Sequence, residues 1–147
     1  NEGKRLWKTV RSCVENPPEG EHEIIVVDDA SEDNSVAEVL RRFPTVNLVC
    51  HDHRRGASQV RNTGADHARG EVLVFLDGHC HPEPGALTRL VNDVDAFGGR
   101  VLVAPRIAVL DADTWQNSAT TCGNGYELDL LTQQERYVQL PTLRRRG

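Results

Sequence analysis

The sequence lacks any apolar run near the ~20 residues that a membrane-spanning helix needs. Its longest, Val72 to Leu76, is the length of a strand. No secretory signal is visible in it, and Asn1-Glu2-Gly3-Lys4-Arg5 reads as a polar stretch of the kind that starts a helix. It has no Cys-x-x-Cys, and its four cysteines, Cys13, Cys50, Cys80 and Cys122, are spread wide. That spacing is no disulfide framework, so the thiols read as reduced and the chain as cytoplasmic, or peripheral at the cytoplasmic face of a membrane. It lacks a basic excess: 17 Lys and Arg stand against 22 Asp and Glu, for a net charge of −5. An acidic balance speaks against a general nucleic-acid binder and against attachment to anionic lipid by this piece itself, but leaves room for a locally basic nucleotide site. There is no P-loop, no Gly-x-Gly-x-x-Gly after a strand and no Gly-x-Ser-x-Gly elbow, which removes three common chemistries. Repeats, low-complexity tracts and interdomain linkers are also missing. With 147 residues, 38% hydrophobic and 27% charged, the composition is that of one globular domain.

What is present is a regular change of period. Leu6, Trp7, Val10 and Val14 recur at helical spacing and predict a helix over 2–14, stopped by Asn16-Pro17-Pro18-Glu19-Gly20. Glu23 to Asp28 is a β-branched run that predicts a buried strand. Ser31 or Asp33 can cap a helix carrying Val36, Val39, Leu40 and Phe43, which Pro44 ends. Val46 to Cys50 predicts a second strand, residues 57–68 a helix, and Val72 to Leu76 a third strand. Pro84 suits the first position of a helix carrying Leu87, Leu90, Val91 and Val94, and Val101 to Pro105 reads as a fourth strand. Strands alternating with helices predict an α/β fold with a mainly parallel sheet. Beyond residue 105 no clear period remains.

In such a sheet ligands bind outside the carboxyl ends of the strands. Three predicted strands end in Asp28-Asp29, in His51-Asp52-His53 and in Asp77-Gly78-His79. Asp77 and His79, with Gly78 allowing a tight turn between them, can hold a divalent cation and leave positions for water and phosphate oxygens. Oxygen-rich coordination suits Mg²⁺ or Mn²⁺, and an imidazole tilts the choice toward Mn²⁺. The plainer alternative is a capped turn and a solvated histidine. His81 is a possible third ligand, constrained by Pro82. Cys80, between two histidines, suggests zinc or a nucleophile, but sequence neighbours converge poorly on one tetrahedral ion, and a semi-buried thiol is the simpler reading. Of Asp28 and Asp29, one can read a base and the other brace the loop, or they cap the next helix. Arg61 can pair with a diphosphate or a base edge. Arg54 and Arg55 read as a solvated loop, Gly64 and Ala65 as a close helix–sheet contact, and Arg144 to Arg146 as a solvated end.

Together these residues resemble a glycosyltransferase of the GT-A fold, in particular the large family 2, from residue 1 to about 105. Asn1-Glu2 looks like the end of that family's Tyr-Asn-Glu stretch. Glu23 to Asp33 resembles its Val-Asp-Asp-Gly-Ser-x-Asp signature, with Ala30 in the glycine place. Gly56 to Gly64 is similar to its Gly-x-x-x-Ala-Arg-Asn-x-Gly helix, and Gly70 to Asp77 to the strand leading to its Asp-x-Asp. His79 stands where family 2 has a second aspartate, and Asp-x-His followed by Cys resembles the polypeptide N-acetylgalactosaminyltransferases.

The resemblance implies a GT-A, Rossmann-like sheet flanked by helices and lacking its first strand in this chain, as a piece of a larger polypeptide would. It implies that residues 1–105 form the nucleotide-sugar part and 106–147 the start of an acceptor-side part. The expected activity is metal-dependent transfer of a sugar from a nucleotide-sugar, a UDP-sugar, to an acceptor hydroxyl in polysaccharide or glycoconjugate synthesis. Asp28, Asp29, Arg61 and Asp77 are the expected nucleotide-binding residues, and Asp77 and His79 the Mn²⁺ or Mg²⁺ ligands. Asp111, Asp113, Glu127, Asp129 and Glu135 are available as a catalytic base, with none singled out. The expected partners are the donor and a glycan, lipid or protein acceptor, with no nucleic acid, and with membrane association only through segments outside this chain. A nucleotidyltransferase and a nucleotide-binding module without turnover are the alternatives.

Overall fold

The computed structural model describes residues 1–98, 101–105, 107–123, 125–129 and 134–138, with side chains as far as Ser118. Helix α1 (Lys4–Glu15) presents Leu6, Trp7 and Val10 inward, as its spacing predicts. Strand β1 (Ile25–Asp28), helix α2 (Ser35–Arg42) and strand β2 (Asn47–Cys50) follow. β1 and β2 pair in parallel, Ile25 opposite Asn47 and Asp28 opposite Cys50, so both carboxyl ends lie on one side. The core is Val10, Val26, Val39 and Val46, with Leu6, Trp7, Ile24, Phe43 and Leu48 packed around it. Helix α1 packs on α2. Arg42 lies 4.2 Å over the Trp7 ring, covering its outer face.

Helix α3 (Ala57–His67) lies on β1, and a Cβ built on Gly64 would stand 3.4 Å from Val27 Cγ2. That is the close helix–sheet contact expected of Gly64. Helix α4 (Ala86–Ala96) begins later than Pro84 suggests: Gly85, at φ 73°, is the cap, so the proline lies in the approach. Asn34 stands at the N-cap position of helix α2 without a side-chain cap bond of its own, and of the two expected caps it is Asp33 that binds the first helical residue. Asp33 accepts the Ser35 amide at 3.0 Å and the Ser35 hydroxyl.

Two predicted strands are not strands. Residues 72–76 run without a ladder, and Leu73, Val74, Phe75 and Leu76 are all exposed. Residues 101–105 are likewise irregular. A β-branched run is only half of a strand; the other half is a hydrogen-bonded neighbour, and among the described residues β1 pairs with β2 alone. The mainly parallel sheet is therefore one parallel pair.

The periodless tail holds the remaining strands: β3 (Ile107–Leu110) and β4 (Asn117–Gly123) are antiparallel, as are β5 (Gly125–Asp129) and β6 (Gln134–Val138). Asp111 makes the first turn, accepting the amides of Asp113 and Thr114 at 3.0 and 2.8 Å. Trp115 leaves that turn in the left-handed region, φ 58°, and its indole donates to Ser12 Oγ at 3.1 Å. Among the described residues no helix is long and apolar enough to cross a membrane.

Candidate functional site

The carboxyl ends of β1 and β2 place Asp28, Asp29 and His51 beside one another. Asp28 turns back on its own loop and accepts the Ser31 amide at 3.1 Å. Asp29 reaches across: it accepts His51 Nδ1 at 2.8 Å, the Arg55 amide at 2.8 Å and the Gly56 amide at 2.9 Å. The His51 bond first, then the two amides, hold the Asp29 carboxyl down at about 2. The other His51 nitrogen meets Thr63 Oγ1 of α3 at 3.0 Å, with the ring almost wholly buried. Of the two aspartates, Asp29 is thus the brace of the 51–56 loop.

Helix α3 carries the connection onward. Arg61 Nη2 donates to Asp77 Oδ1 at 3.0 Å, both side chains more than half exposed. Next to it, His79 Nδ1 stands 3.4 Å from Glu2 Oε2. Helix α3 thus meets both loops, through Thr63 to His51 and through Arg61 to Asp77, while Asp28 bonds within its own loop, His79 stands against Glu2 instead, and no contact joins Asp28 or Asp29 to Asp77 or His79 among the described residues. Glu2 enters the site as well; its one signal in the sequence is the Asn-Glu pair ahead of α1.

Other candidates go elsewhere. His81 Nδ1 meets Ser12 Oγ at 2.9 Å, and its ring packs edge-on against Trp115, tying the 77–82 loop to α1. Burial raises the Cys80 thiol, and raises Cys13 to about 11. Neither is thereby a thiolate nucleophile at neutral pH. Arg55 pairs with Asp52 at 3.0 Å on the exposed loop. Glu127, Asp129 and Glu135 have side chains outside the described residues, as does Cys122, and Arg144 to Arg146 lie outside them altogether.

The donor set suits a divalent ion that arrives with a diphosphate. No group of three His, Cys, Asp or Glu side chains forms a cage among the described residues. One exposed carboxylate and one exposed imidazole leave most coordination positions to water and phosphate oxygens, which is how Mg²⁺ and Mn²⁺ are held beside nucleotides.

The family model for glycosyl transferase family 2 matches residues 1–143. The mouse (Mus musculus) polypeptide N-acetylgalactosaminyltransferase 15 is 37% identical over 82% of this chain and 19% of its own length. The human (Homo sapiens) polypeptide N-acetylgalactosaminyltransferase 14 is 35% identical over 88% of this chain and 24% of its own. The glycosyltransferase AglE of Haloferax volcanii is 32% identical over 69% of this chain and 36% of its own. The chain thus spans a fifth to a third of the relatives it matches, and it belongs to glycosyl transferase family 2.

Proposed function

We propose that this chain is the donor-binding part of a metal-dependent glycosyltransferase of GT-A fold, moving a sugar from a UDP-sugar to an acceptor hydroxyl. The observation that carries the reading is the set of contacts Asp29–His51–Thr63 and Arg61–Asp77, which ties the loop after β2 and the loop at residues 77–79 to one helix. Asp28 is the aspartate that reads the base, since Asp29 is taken up by the loop. Arg61 leaves Asp77 to meet the diphosphate, an exchange that costs little because the pair is exposed. Asp77 and His79 hold Mn²⁺ or Mg²⁺, whose chemistry is to neutralise the charge growing on the departing diphosphate. In the transfer the anomeric carbon gains a bond to the acceptor oxygen and loses its bond to the diphosphate, while the acceptor proton passes to a base. UDP-N-acetylgalactosamine is the first donor to try, because the relatives' names carry that sugar.

Calorimetry with UDP, in Mn²⁺ and then in EDTA, tests the reading on the full chain and on Asp77→Ala. Binding that needs Mn²⁺ and is lost in the variant supports it. Binding indifferent to both metal and variant overturns it. Binding that needs Mn²⁺ without turnover of any UDP-sugar leaves a nucleotide-binding module.

A further inference from the structure

Within the donor reading, on which this step rests, we propose that Glu2 is a positioning residue that presents His79 to the metal. Two independent features point to it. The first is the carboxylate itself, 3.4 Å from His79 Nδ1. A carboxylate there favours the tautomer with its proton on Nδ1 and leaves the Nε2 lone pair outward, the form an imidazole needs as a ligand. Among the described residues Nε2 has no hydrogen-bond partner.

The second feature is Gly78. Its φ is not in the left-handed region, so its backbone does not explain the glycine. Space does: a Cβ there would come within 2.9 Å of Glu2 Cγ and 3.5 Å of Leu6 Cδ1. The glycine of Asp77-Gly78-His79 makes room for the Glu2 stem, and any larger residue pushes the carboxylate off the imidazole.

Glu2 is held by its neighbours. The Gly3 amide donates to Asp33 Oδ2 at 2.9 Å, and Asn1 Oδ1 accepts the Glu32 and Asp33 amides at 2.7 and 3.3 Å. The Arg5 amide donates to the Glu2 carbonyl at 3.1 Å, closing the first turn. The segment before α1 is thereby pinned to the loop after Asp28 and Asp29, and Glu2 spans from that loop to the next.

The test uses the full chain and reads the ring before any metal is added. Long-range ¹H–¹⁵N NMR above the imidazole titration range reports the His79 tautomer. Wild type is expected mainly as Nδ1–H, Glu2→Gln, which keeps an acceptor oxygen, to match it, and Glu2→Ala to shift toward Nε2–H. Calorimetric titration of Mn²⁺ in the presence of UDP then gives the consequence: a loss of about tenfold or more for Glu2→Ala and for Gly78→Ala, with Glu2→Gln close to wild type. An unchanged tautomer in Glu2→Ala overturns the proposal. So does unchanged Mn²⁺ affinity in Glu2→Ala while Asp77→Ala abolishes binding. If Asp77→Ala also leaves binding intact, the donor reading fails, and the tautomer alone decides whether Glu2 sets the ring.

Discussion

Two loops of this molecule carry an aspartate and a histidine, and they hold them in opposite ways. At the ends of β1 and β2, Asp29 accepts three protein hydrogen bonds and His51 is buried with both nitrogens occupied. In the 77–79 loop, Asp77 and His79 are each more than half exposed and have one charged neighbour apiece, Arg61 and Glu2. The first pair is satisfied and structural. The second is open to exchange its neighbours for a ligand. Residue type alone does not separate the brace from the proposed ligands; the number of bonds already made does.

Exchanging the roles is the strongest way to break the comparison. Asp77→Asn is expected to abolish Mn²⁺-dependent UDP binding while leaving the melting temperature close to wild type, since it removes one exposed ion pair. Asp29→Asn is expected to lower the melting temperature by several degrees, because an amide presents one acceptor oxygen where the carboxylate serves three donors. Calorimetry and thermal melts on both variants read the two effects. Equal effects on stability would erase the distinction.

His51 sharpens it next. Replacing His51 by Ala removes a buried ring and leaves Asp29 and Thr63 without their shared partner, a cost of about 2 kcal/mol in urea unfolding. His51→Gln offers a donor toward Asp29 and should recover part of that. His79→Ala, by contrast, should leave unfolding nearly unchanged.

Acid separates the loops more gently. The Asp29 carboxyl sits at about 2 in the folded chain, below its ordinary value, because His51 and two amides bind its charged form. A carboxyl depressed by folding binds fewer protons in the native state. Its contribution is therefore complete above about pH 4 and is lost as the pH falls toward about 2. Asp33 and Asp52 are depressed too, Asp33 chiefly by the Ser35 hydroxyl and Asp52 chiefly by Arg55. The useful quantity is thus the difference between wild type and Asp29→Asn. That difference should shrink on acidification between pH 4 and 2, and a constant difference would remove the carboxylate from the account.

Much of this arrangement is legible in the chain. Leu6, Trp7 and Val10 announce α1 by period, Ile25 to Val27 announce β1 by β-branching, and Asp77-Gly78-His79 announces itself by residue type. The misreadings share a cause. Val72 to Leu76 has the composition of a strand, but a ladder depends on a neighbour far away in sequence, and none lies beside it among the described residues. β4 passes unseen because Asn117-Ser118-Ala119-Thr120-Thr121 alternates nothing strongly apolar. A close reading of Asp111-Ala112-Asp113-Thr114 as an Asx turn after Ile107 to Leu110 would have found that hairpin. Within the site, the pairings of Asp29 with His51 and of Glu2 with His79 join residues 22 and 77 positions apart, and no local pattern encodes them.

The smallest effect concerns the loop between the two aspartates and α2. Ala30 occupies the place where the family signature has glycine, and it takes the left-handed conformation that glycine would, at φ 54°. An L-residue there costs about 1–2 kcal/mol of backbone strain. Glycine removes that strain but gives the unfolded chain more freedom, at about 0.5–1 kcal/mol. Ala30→Gly should therefore stabilise the chain by up to about 1 kcal/mol in urea unfolding. UDP affinity should hold, because the turn is already fixed from both sides: Asp28 takes the Ser31 amide, and Asn1 takes the Glu32 and Asp33 amides. A gain in stability accompanied by weaker UDP binding would mean that the strain at Ala30 itself sets Asp28 for the base.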